Sequence, residues 1–95
     1  MGDRKVLRTY SNAAYSIDSA SYYALRLYDS SIKEDELGME IQVGFRDNLN
    51  KLSLEEKLKV YDALRTKALV GEVTGNNAER DRHLEAALYF MVNFI

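Results

Sequence analysis

The chain has no cysteine, no proline and no tryptophan. Without cysteine there is no disulfide, no thiol nucleophile and no thiolate for a metal. With no proline and only five glycines in 95 residues, little in the sequence interrupts a long helix. The Asn-Gly and Asp-Gly pairs that mark tight strand hairpins do not occur. Long apolar runs are missing too: no stretch approaches the roughly 20 apolar residues of a membrane span. A net charge of −2 gives no basic field for duplex nucleic acid.

What is present fits one ordinary globular domain over residues 1–95. Hydrophobic residues make up 46% and charged residues 29%, enough to build a core and to solvate its outside. No signal-peptide core follows Met1-Gly2-Asp3-Arg4-Lys5, so a cytoplasmic location is expected (the host cytoplasm if the source is viral).

The expected fold is all-α, with three to four helices ending in an antiparallel hairpin. Ser11 or Asn12 is placed to cap a first helix reaching about Asp29, with Ala14, Ile17, Ser21, Ala24 and Tyr28 as its stripe. The small residues Ala13, Ala14, Ala20 and Ala24 would let another helix come close. Ser31 and Glu34 match a capping box for a second helix. Leu37, Ile41, Phe45, Leu49 and Leu52 then recur at helical steps, whereas Met39, Ile41, Val43 and Phe45 alternate as a strand would. A lone strand has no partner, so a helix is expected, bent at Gly38 or Gly44. Ser53-Leu54-Glu55-Glu56 is a second capping box, and Leu54, Leu58, Tyr61, Leu64 and Ala68 are expected to form the face behind it. Gly71 or Gly75 should end that helix, and Asn76-Asn77 should start the last one.

The last helix carries the most information. From Glu79 to Glu85 it is charged, but its final ten residues, Ala86 to Ile95, contain no charged side chain. A helix apolar on every side must be buried on every side. In a chain this short, that calls for a second copy or another partner, with Leu88, Phe90, Met91, Phe94 and Ile95 at the interface.

Two residue groups suggest a ligand. Tyr10, Tyr15 and Tyr22 are interleaved with Arg8 and Arg26, pairing flat rings for a base with guanidinium groups for phosphate. Half-buried tyrosines at an interface are the plainer explanation. Asn76, Asn77, Arg80, Arg82 and His83 surround a helix start whose open amides suit an anion. Arg82 also has Glu79 and Glu85 one turn to either side, so surface ion pairs would equally account for it. His83 is the only histidine, which leaves no His or Cys set for a metal and nothing to position a catalytic triad. No cofactor motif occurs, and no enzyme activity is expected.

The hairpin resembles that of small phage proteins that sequester cyclic nucleotides of bacterial immunity, the anti-CBASS sponges. Glu79-Arg80, then Leu84-Glu85-Ala86-Ala87-Leu88-Tyr89-Phe90 and Ile95, is similar to their second hairpin helix, and Ala63-Leu64-Arg65-Thr66-Lys67-Ala68 to the first. The turn lacks their proline, the hairpin is shorter, and Phe90 stands at their tryptophan. The resemblance implies a homo-oligomer that holds a cyclic nucleotide between subunits without cleaving it, with Arg80, Arg82 and His83 near the ligand. The expected function is therefore a self-associating, non-enzymatic binding protein. The alternative is an inhibitor or adaptor that meets a host protein through its acidic Glu34–Glu40 segment or its apolar end.

Overall fold

The computed structural model describes residues 2–33 and 37–95, with side chains from Ile17 onward. The described chain is all-α. Its helices are α1 (Gly2–Ile32), α2 (Met39–Asn50), α3 (Leu54–Val73) and α4 (Asn77–Phe94). The expectations for Arg8, Tyr10, Tyr15, Ala13, Ala14 and the Glu34–Glu36 part of the acidic segment lie outside the described side chains.

Helices α3 and α4 form the expected hairpin, and each of its ends is closed by residues close in sequence. At the start of α3, the Ser53 hydroxyl accepts from the Glu56 amide at 3.1 Å. The Glu56 carboxylate accepts in turn from the Ser53 amide at 2.9 Å. At its end, the Asn76 amide donates to the Gly71 carbonyl and the Gly75 amide to that of Glu72. This paired closure needs a left-handed residue, and Gly75 supplies it with φ +79°. Asn76 then serves the next helix as well, its side chain accepting from the Glu79 amide at 3.2 Å. Gly71 lies inside α3 where the two helices approach. A Cβ there would stand 2.9 Å from the Arg80 backbone nitrogen and 3.1 Å from the Asn76 carbonyl oxygen.

Helix α1 packs across the hairpin through small residues. Ser21, Ala24 and Tyr28 are buried, as the stripe predicts, and Ala20, Leu25 and Leu27 join them. The core between α1 and the hairpin is completed by Val60, Leu64, Ala86, Ala87 and Phe90. Phe90 is fully buried and stacks on Phe94 with centroids 5.3 Å apart. Helix α2 leans chiefly on α1, through Leu49 and through Phe45, which stacks on Tyr23 at 4.3 Å, and Arg46 reaches α4 with Nη2 donating to the Tyr89 hydroxyl at 3.3 Å.

Three expectations are corrected. Helix α1 starts at Gly2, well before Ser11, because nothing between Asp3 and Asp29 breaks a helix. Ser31 lies within α1, its hydroxyl donating to the Tyr28 carbonyl, and so opens no new helix. Residues 39–45 are helical, as expected, and α2 begins after Gly38 without a side-chain cap. The buried face of α3 is turned toward Val60 and Gly71, leaving Leu54 (62% exposed) and Leu58 outside. The small residues Ala68 and Gly71 let α4 approach on that side, and the larger leucines are turned away from it.

Candidate binding surfaces

Two concave surfaces flank the first turns of α4. The larger, about 440 Å³, lies between the end of α1 and the start of α4 and is lined by Tyr28, Asp29, Ile32, Lys33, Ala78, Glu79, Asp81, Arg82 and Glu85. Arg82 crosses it to form a bidentate pair with Asp29, Nε donating to Oδ1 at 3.0 Å and Nη2 to Oδ2 at 2.5 Å. Its Nη1 also donates to the Glu79 carboxylate at 3.3 Å. The hydrogen bond to Asp29 holds the Arg82 guanidinium more firmly protonated than usual. Beside this pair, the Tyr28 hydroxyl donates to the Glu85 carboxylate. That bond, with burial, pushes the Tyr28 pKa up to about 12, because the ionised phenolate would face a carboxylate.

These contacts change the meaning of the expected anion seat. Arg82 is engaged by two carboxylates, and Asp29, Glu79, Asp81 and Glu85 outnumber Lys33 and Arg82 around the groove. An anion entering here would meet more negative charge than positive. Arg80 turns to Asp81, Nε to Oδ1 at 3.0 Å. The groove acts as a clasp between α1 and α4.

The second cavity, about 330 Å³, lies between the end of α3 and the start of α4 and includes Lys67, Thr74, Asn76, Glu79 and His83. His83 is 9% exposed, and its Nδ1 sits 2.7 Å from the Glu79 carbonyl, so Nδ1 carries the proton and donates. Arg82 and His83 are neighbours in sequence but serve different clefts. Asn76 is committed to capping, and Asn77 is exposed as the first residue of α4.

Of the aromatic–arginine group, Tyr22 and Arg26 have described side chains. Tyr22 and Arg26 share one exposed side of α1, with Arg26 Nη1 donating to the Tyr22 hydroxyl at 3.2 Å and its guanidinium 5.8 Å from the ring centroid. They are not among the residues that line the groove or the cavity beside α4. Among the described residues, no cluster of potential metal ligands occurs and no helix is long and apolar enough to cross a membrane.

The outside of the hairpin carries exposed apolar residues on both helices. Phe90 and Phe94, expected between copies, are instead core residues of the single chain. The interface expectation therefore narrows to Leu88 (54% exposed), Met91 and Ile95, which Leu84 and Val92 join. On α3, Leu54, Leu58, Leu69, Val70 and Val73 are exposed as well. Both hairpin helices are thus apolar on two sides, and the sequence signal for that was the uncharged run at the end of α4. The Asp29 and Tyr28 contacts left no such signal, because their partners lie 53 and 57 residues away. No protein family, curated protein or solved structure matches this chain.

Proposed function

We propose that this chain is a non-enzymatic, self-associating helical binding protein whose working surface is the outer face of the α3–α4 hairpin. One observation carries the reading: Leu84, Leu88, Met91 and Ile95 remain 38–54% exposed along one flank of a helix whose adjoining side already fills the core. Covering a half-exposed side chain of this size contributes about 1 kcal/mol, so even these four favour association by several kcal/mol before ordering costs. Patches of this kind on a soluble chain mark contact sites. Light scattering across a wide concentration range tests the reading. The expected result is a mass that is a multiple of 10.9 kDa. A single copy at every concentration would overturn it.

Sequestration of a cyclic nucleotide is the narrower form of this proposal, and the exposed Tyr22–Arg26 pair supports it. A ring and a guanidinium side by side offer a base a stacking face and a phosphate a counter-ion. Calorimetry with cyclic di- and trinucleotides should give heat that Arg26→Ala abolishes. No heat at high micromolar ligand would leave the assembly without that cargo, and the inhibitor or adaptor alternative would take its place.

A further inference from the structure

We propose that the partner covering the hairpin's outer face is a second copy of this chain, related by a two-fold axis that crosses α4 between Tyr89 and Phe90. Resting on the self-association reading, this names the occupant and its register. Leu84, Leu88, Met91 and Ile95 follow one another at steps of four, three and four, the spacing of a seam between packed helices. That spacing reads the same in both directions. An antiparallel copy of α4 therefore sets Leu84 against Ile95 and Leu88 against Met91, apolar against apolar throughout. A two-fold interface demands this self-complementarity.

Charge agrees with the same axis. Glu85 is the sole charged residue from Leu84 to Ile95, and it is bonded to Tyr28 of α1, so no like charges meet across the α4 seam. On α3, the residue level with the axis lies about as far before the turn as Tyr89 lies after it, close to Tyr61. Reversing α3 about that level brings Leu54 of each copy toward Leu69 of the other and Leu58 toward Arg65.

Area requires both helices. The α4 seam spans about 18 Å, and a strip one helix wide covers far less than the roughly 800 Å² per partner of a stable interface. Two helices side by side, about 30 Å by 20 Å, project about 600 Å², and side-chain relief adds to that. Leu54, Leu58 and Leu69, at steps of four and eleven, return to one side of α3 and extend the apolar face. The result is a four-helix packing of two hairpins.

The absence of native cysteine makes the register directly testable. Leu88→Cys and Met91→Cys chains, mixed and oxidised, should crosslink to each other several-fold more than either does alone. A Leu88→Cys chain that crosslinks mainly to itself would overturn the antiparallel register. In parallel, Leu88→Glu should weaken the dimer at least tenfold while the helical circular dichroism is retained, since Leu88 is no part of the core. A dimer that survives Leu88→Glu but is dissolved by Val73→Glu would place the contact elsewhere and overturn the inference, leaving self-association standing. A chain that is monomeric throughout would overturn both.

Discussion

The α3–α4 hairpin and helix α2 are built from similar residues but are held very differently. The hairpin is closed at the Ser53 box, the Gly75 turn and the Asn76 cap, and its two helices touch backbone to backbone at Gly71. Helix α2 has no side-chain cap, buries only Leu49 fully, and keeps Met39, Ile41 and Val43 exposed. Apolar content alone does not decide which segment is firmly held. What decides it is how many independent contacts close around the segment.

The largest test of that contrast is Phe90→Ala. Emptying the most enclosed aromatic site should destabilise the protein by about 3–5 kcal/mol in denaturant unfolding. Gly71→Ala follows, at about 1–3 kcal/mol, because the new methyl meets backbone atoms that cannot rotate away. A neutral Gly71→Ala would show that the hairpin is looser than its geometry implies. Asp29→Ala should cost about 1–2 kcal/mol by removing the bidentate partner of a partly exposed guanidinium, with Arg82→Ala adding little on top of it. The smallest effect belongs to Phe45→Ala, at about 1 kcal/mol, felt as faster amide exchange in α2 while hairpin protection is unchanged. Equal loss of protection in both regions would erase the distinction.

The two regions also differ in how far they can be read from sequence. The hairpin's caps involve residues three to five apart, so Ser53, Glu56, Gly75 and Asn76 announce themselves in a linear reading. The uncharged end of α4 likewise predicts a helix with two apolar sides. Which side is the inner one does not follow from it, and Phe90 and Phe94 prove to be core residues while Leu88 and Met91 are not. The rotation of α3 that exposes Leu54 depends on where α1 and α4 come to rest. The Asp29–Arg82 and Tyr28–Glu85 contacts depend on the same tertiary arrangement. They convert an apparent anion seat into a clasp, and no local pattern encodes them.

The order of the helices along the chain has its own consequence during synthesis. Helix α1 leaves the ribosome first, yet the surfaces that cover Ala20, Ala24 and Leu27 belong chiefly to α3 and α4, which emerge later. Until then the nascent segment carries an uncovered greasy stripe, a natural substrate for a holding chaperone. The hairpin, whose contacts are near neighbours in sequence, can form as soon as it is released and then receive the waiting helix.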